Sequence, residues 1–429
     1  MKLRRVVVYS LTAVLLATGM WLVGGNMWAA RREEQSDRAW TATFGSLDDL
    51  KKKYPTRGTN ETAMRLEQVT HGTVFDLTPA VGSVQSRGGH LGAEWNRSQG
   101  AVDFLVAQIA KPEASIDPPA NEATGFLEEK RAVVDAIEAI LTTGPPPEWA
   151  LDVSIPAEQR RMPNALGQIR IQRILLARAL AAARAGRYDA SVRSLEASWN
   201  LNESIRGRPE TIPALIGLAV ARLEVGALRK IDVSAQIWRT RLEATGSRSR
   251  LIDAIILEYP RPADLAMRYR HLRPAGVGWW AYNLVSLLEE PRDRLAWADY
   301  GEAWVHAIAG LRDEPAFRER APDPKPGGSF ATIMVSISIP NIRNSFDRAD
   351  RLALDAELTG KILRVKEARR AQGAWPPPSA EIAASRFPGL SWNYAVDGGV
   401  MTIALARELP KPPSPFVLPT SFSSRASAP

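Results

Sequence analysis

The densest helical spacing in the chain runs from Pro163 to Ile231 and predicts a set of long helices. Apolar residues recur at three- and four-residue steps through Leu166, Ile169, Leu176, Leu180 and Ala183, then Val192, Leu195 and Trp199. A third series follows in Ile212, Leu215, Ile216, Ala219, Leu223 and Ala227. The breaks at Gly186–Asp189 and Gly207–Pro209 are short, so neighbouring helices must run antiparallel and bury their stripes against each other. Ahead of this stretch, helices are expected from Asn60 to His71, from Gly92 to Ala110 and from Glu122 to Leu141. After it, Ser234 can cap a helix through Leu242, and Leu251–Tyr259, Val277–Leu288 and Arg294–Leu311 carry further helical patterns.

The last third of the chain changes character. An extended run over Ile333–Ile339 precedes Pro340, and Asn341 is placed to cap a helix bearing Leu354, Leu358, Ile362 and Val365. Gly373 ends that helix, and Trp375–Pro378 turns the chain. Period-two alternation around Asp397, Gly398 and Gly399 predicts a hairpin. A turn at Asp397–Gly398 pairs Tyr394 with Met401 and Trp392 with Ile403; a turn at Gly398–Gly399 keeps the same residues on one face.

At the other end, Lys2, Arg4 and Arg5 are followed by Val6–Ala30, which carries no charge. A spanning helix needs roughly 20 apolar residues. Bulky Met27 and Trp28 stand where a signal peptidase would need small residues, which favours an uncleaved anchor over a cleaved export signal. The flanking charges predict a single-pass inner-membrane protein with its body on the periplasmic side.

The expected architecture is therefore mainly α. Antiparallel helical hairpins, in a repeat-like right-handed array, join a small C-terminal α+β module and one N-terminal transmembrane helix. Residues 1–30 form the anchor, 31–59 a juxtamembrane segment, 60–311 a helical domain and 312–329 a linker. Residues 330–409 make up the helix and hairpin module, and the proline- and serine-rich 410–429 are expected to be disordered.

Composition narrows the chemistry more than the fold. The 429 residues are 45% hydrophobic and 24% charged, ample for a core and unlike a disordered chain. There is no cysteine, which excludes disulfides, thiolate metal sites and thiol nucleophiles. The net charge is +8, and the excess concentrates between Arg160 and Arg273, where about twenty Lys/Arg face ten Asp/Glu. No nucleic-acid motif accompanies it, so acidic envelope partners or lipid headgroups fit better than nucleic acid.

Gly186, Arg187, Tyr188 and Asp189, followed by Leu195, Ser198 and Leu201, look like the turn and second helix of a tetratricopeptide repeat, though the 34-residue period does not recur: Val220 stands where the next glycine would fall. A broader resemblance rests on Met162–Asn164 with Gly167 and Gln168, Leu195–Asn202, Arg208–Glu210 and Leu228–Lys230. With the order Pro340, Asn341, a helix, Gly373, Trp375, Pro376 and a hairpin, this resembles a group of membrane-anchored bacterial proteins of uncharacterised function. That resemblance implies architecture and carries no activity.

Candidate chemistry is sparse. Three histidines have a glutamate four residues away (Glu67 and His71, His90 and Glu94, Glu302 and His306), a spacing that suits a surface ion pair as well as half a metal site. No nucleophile elbow, phosphate-cradling loop or dinucleotide fingerprint occurs. No catalytic residue, cofactor or metal is predicted. The candidate binding residues are Trp199 and Asn202 in the central helices and an aromatic stretch of Trp279, Trp280, Trp297, Tyr300 and Trp304 with Glu302. Core packing is the plainer reading of these rings; a partner surface is the sharper one. The function expected is an envelope protein-binding or scaffold module without catalysis, in an unknown oligomeric state. The alternative is a hydrolase or carbohydrate-active enzyme using the patch around Trp297, Glu302 and Trp304.

Overall fold

The computed structural model describes residues 2–79, 90–155, 160–244, 247–258, 330–409 and 418–425, with part of 290–309. The protein is mainly helical, with a small antiparallel sheet near the C-terminus. It divides into two compact units, Met1–Asp49 with Glu258–Asn344, and Leu50–Leu257 with Ser345–Pro429.

In the first unit, α1 (Lys2–Phe44) is one continuous helix. It is long and apolar enough to cross a membrane. Tyr9, Leu11, Val14, Leu15, Leu16, Met20 and Val23 are all exposed along it, as a lipid-facing surface requires. The helix continues past the expected end of the anchor. There the exposed apolar surface gives way to buried Ala29, Trp40 and Phe44, and polar anchors appear. Arg294 clamps Glu33 through Nε at 2.9 Å and Nη2 at 2.5 Å, and Gly25 lies against Pro291.

The second unit starts with α2 (Leu47–Lys53), α3 (Glu61–Thr70), α4 (His90–Ile109), α5 (Asn121–Glu129) and α6 (Arg131–Thr143). The helix expected over Glu122–Leu141 is thus two helices, broken at Lys130. The centre is α7 (Ala165–Arg184), α8 (Tyr188–Arg206) and α9 (Thr211–Lys230), as the spacing predicts. Asn164 caps α7 by accepting from the backbone N–H of Leu166 at 3.1 Å, and Gly186 takes φ +74° to reverse the chain. The stripes meet through Ile174, Leu175, Leu180, Leu195, Leu201, Val220 and Val225, all buried. Although α9 is apolar enough to pass for a membrane span, most of it is buried, which makes it the core helix. Trp238 of α10 (Ala235–Glu243) packs edge-on against Trp199 at 5.5 Å, and α11 (Ser247–Glu258) follows.

Gly167 shows how closely α7 is seated. A Cβ there would stand 2.2 Å from the carbonyl oxygen of Asp76 and 3.0 Å from that of Phe75. These are backbone atoms that cannot swing aside. Gly167→Ala is expected to cost about 1–3 kcal/mol through overpacking. A thermal melt followed by far-ultraviolet circular dichroism measures it, and an unchanged midpoint would show that the segment before α7 yields.

The C-terminal part corrects three expectations. Residues 333–339 are helical, not extended, since α12 runs unbroken from Phe330 to Gln372. Asn341 therefore lies inside a helix and not at its N-terminus. The apolar β-branched run had the composition of a strand, and the surrounding helical context overrides that propensity. The third correction falls in the tail. After α13 (Ala380–Ala383), β1 (Trp392–Asp397) and β2 (Val400–Leu405) form the hairpin, and β3 (Ser421–Arg425) adds to β2 inside the segment expected to be disordered. Gly398 and Gly399 make the turn with φ +52° and +78°, so Asp397 pairs with Val400, Val396 with Met401 and Tyr394 with Ile403. This is the second of the two registers considered, and Trp392, Met401 and Ile403 are buried on the shared face. Phe422 of β3 is buried there too, with Ser423 bonded through its N–H to the carbonyl of Pro112 at 2.9 Å.

Candidate functional site

The C-terminal ends of α7 and α9, the start of α8, the last turns of α12, β3 and residues 114–118 enclose a cleft of about 970 Å³. All of it belongs to the second unit. Six cationic side chains line it (Arg184, Lys230, Lys366, Arg369, Arg370 and Arg425) against two carboxylates, Asp117 and Asp232. Both carboxylates already have a cation. Asp117 pairs with Lys111, and Asp232 receives Arg370 Nη2 at 2.5 Å. The balance of the cleft is strongly positive, and Tyr188 and Trp375 add aromatic surface to it.

A buried arginine fixes the floor. Arg229, 2% exposed, donates to Thr359 Oγ1 at 2.9 Å, to the carbonyl of Pro419 at 2.9 Å, and to both the carbonyl and Oδ1 of Asp355 at 3.0 and 3.1 Å. One planar fork thereby ties α9, α12 and the segment leading into β3 together. Lys230 comes next in the chain and is buried, its Nζ donating to the carbonyl of Glu113. Lys366 Nζ donates to the carbonyl of Arg229 at 2.8 Å. Burial pushes each ammonium down to about 8. At the rim, Gly373 leaves α12 with φ +74° and Trp375 Nε1 donates to the carbonyl of Gly399 at 3.0 Å. The Arg369 guanidinium lies 4.5 Å from the centre of the Trp375 ring. A smaller cavity of about 270 Å³ between α10, α12 and α13 mixes Arg239, Lys361, Arg364 and Arg386 with Glu243, Glu357 and Glu381, so it has no comparable charge bias.

Of the residues singled out from the sequence, Trp199, Asn202 and Glu302 lie elsewhere. Trp199 and Asn202 are buried among α8, α9 and α10 and do not line this cleft. Asn202 Nδ2 donates to the carbonyl of Gly217 at 3.3 Å and to Glu224 Oε2 at 2.7 Å, and Ser198 Oγ donates to Glu224 Oε1 at 2.8 Å. Glu224 is fully enclosed, and burial pushes its carboxyl up to about 7 against the pull of Arg206 and these two donors. The Arg206 guanidinium stacks 5.0 Å over Trp199. This is a packing network that specifies how three helices meet.

Glu302 lies in the first unit, where its Oε2 accepts from Arg32 Nη2 at 2.7 Å, so its carboxylate is engaged by α1. Trp279, Trp280, Trp297, Tyr300 and Trp304 lie outside the described residues. Of the histidine–glutamate pairs, Glu67 accepts from Trp149 Nε1 at 2.8 Å and Glu94 pairs with Lys130. Among the described residues no three His, Asp or Glu side chains gather as metal ligands would. The basic cleft was missed because its cations come from α7, α9, α12 and β3. The only trace in the sequence was the arginine excess of the central helices.

No family model, no curated protein and no solved structure matches the chain. What the fold and site define is a mainly helical protein with a membrane-compatible N-terminal helix, a small antiparallel sheet and a basic cleft.

Proposed function

We propose that this chain is a membrane-anchored binding module of the cell envelope that engages a negatively charged partner and performs no catalysis. The cleft of about 970 Å³, with six cations against two already paired carboxylates, carries the reading. A surface patch of mixed charge would give a partner little orientation, whereas a one-signed concavity steers and orients an acidic one. The exposed apolar face of α1 supports the tether, and the cationic N-terminus supports an inner-membrane position with the body periplasmic. Antiparallel hairpins supply a rigid support for such a surface, whether or not they form a true repeat array. The reading requires no cofactor, metal or nucleic acid.

The test is crosslinking in native membranes from a photoreactive residue at position 188, whose tyrosine is 56% exposed. Capture of an acidic protein, reduced at least tenfold by Arg184→Glu with Arg425→Glu, is the expected result. Both arginines are exposed, so the reversal leaves the core alone. Capture indifferent to the reversal would count decisively against the proposal.

A further inference from the structure

Lys230 and Lys366 present an electrostatic imbalance that the fold does not resolve. Both line the cleft, and each ammonium donates to a neutral backbone carbonyl, of Glu113 and of Arg229 respectively. Among the described residues no carboxylate closes an ion pair with either one. The carboxylates of Glu113 and Asp232 act only at longer range, and Asp232 is taken by Arg370. The carbonyls at the end of α9 offer partial compensation, since a helix C-terminus is equivalent to about half a negative charge. Two full positive charges remain set against it. Burying an ammonium without a counter-charge is costly, and folds that retain one usually set it against an anion.

Resting on the reading of this cleft as an anion-recognising surface, we infer that its floor is a subsite for a phosphomonoester, held between the Lys230 and Lys366 ammoniums. A carboxylate brings one charge on two oxygens. A phosphomonoester brings nearly two charges at neutral pH and three acceptor oxygens, which matches two lysines with donor protons to spare. Arg184 and Arg425 extend the positive field outward from that floor. The volume exceeds that of a lone phosphate several-fold, so the group is one end of a larger molecule. Such an end group can belong to a soluble phosphate ester or to a lipid headgroup.

Lysine protonation sets the pH window. Burial disfavours both charged ammoniums most; Lys111, Lys366 and Arg229 act in the same sense on Lys230 and Arg370 on Lys366, while Glu113 favours the charged Lys230 and Asp232 the charged Lys366. With both groups near 8, the subsite is charged at pH 7 and loses its charge by pH 9. Affinity for phosphate should fall across that interval.

The decisive experiment is calorimetry on the full chain in detergent with inorganic phosphate, glycerol 3-phosphate and succinate, repeated in nanodiscs with and without phosphatidic acid. Glycerol 3-phosphate is expected to bind at least tenfold tighter than succinate and to weaken at least tenfold from pH 7 to pH 9. Lys230→Met with Lys366→Met should abolish binding, whereas Lys366→Arg should keep it. The methionine pair removes the buried Lys230 charge and the half-buried Lys366 charge while keeping their stems, so circular dichroism is expected to show an intact fold. Binding by the soluble esters identifies a soluble ligand, and binding confined to phosphatidic acid discs identifies a lipid one. Binding in neither arm, preference for succinate, or binding untouched in a folded methionine pair would overturn the inference. Those failures would leave capture of an acidic partner by the outer arginines standing, so the two readings fall separately.

Discussion

Replacing Arg229 with methionine is expected to destabilise the second unit by about 3–5 kcal/mol, the usual cost of stripping one member from a buried ion pair. Methionine keeps the aliphatic stem but loses every donor to Thr359, Pro419 and Asp355. Asp355 is then left enclosed beside Arg222, whose Nε stands 3.5 Å from Oδ2. Burial already raises the Asp355 carboxyl above its ordinary value, with Arg229 the largest opposing influence. Removing that influence raises it further, so the folded state holds the proton more tightly than the unfolded state. The variant should therefore lose stability as pH rises, and it should be least impaired in acid. Urea unfolding at several pH values reads this directly. Arg229→Met combined with Asp355→Leu should recover only part of the loss, because it relieves the enclosed carboxylate but takes from buried Arg222 the Asp355 partner it faces. If the double variant is as weak as the single one, Arg229 matters through its bonds to Pro419 and Thr359 and not through the ion pair.

The second large effect concerns Glu224, and its sign is opposite to that of most paired carboxylates. Its folded value of about 7 lies above the ordinary 4.5, so the native state binds more protons than the unfolded state between those limits. The stabilisation associated with the protonated form is complete below pH 4.5 and is lost as pH rises through about 7. A shift of this size corresponds to about 3 kcal/mol. Glu224→Gln keeps the shape and an acceptor for Ser198, and the Asn202 amide can turn to match the new amide group. The wild-type protein should lose about 3 kcal/mol between pH 4.5 and 8 from this group, and the variant should not. Parallel pH profiles for the two proteins would place the titration elsewhere.

These predictions fall on parts of the molecule that the sequence exposed to very different degrees. The central hairpins were legible because Gly186, Asn164 and a repeating apolar stripe all point the same way. The hairpin face was legible for a similar reason: a one-position shift of the turn leaves Trp392, Met401 and Ile403 together. In contrast, β3 was invisible. Ser421–Arg425 has a single large apolar residue, Phe422, and its ladder exists only because β2 and Pro112 supply partners. The extended reading of 333–339 failed from the other side, trusting local β-branched composition where the long helix prevailed. The cleft was hardest of all. Arg184, Lys230, Lys366 and Arg425 carry no spacing pattern, and only the folded arrangement of their elements gives them a common purpose.

Because Ser423 docks on Pro112 and Ala114, the order of biosynthesis matters. The ribosome releases these two partners about 300 residues apart, a delay of roughly 15–60 s at ordinary elongation rates. Throughout that interval the helices can collapse while one wall of the basic cleft has yet to be made. Until β3 is made, the cleft lacks the wall that carries Ser424 and Arg425.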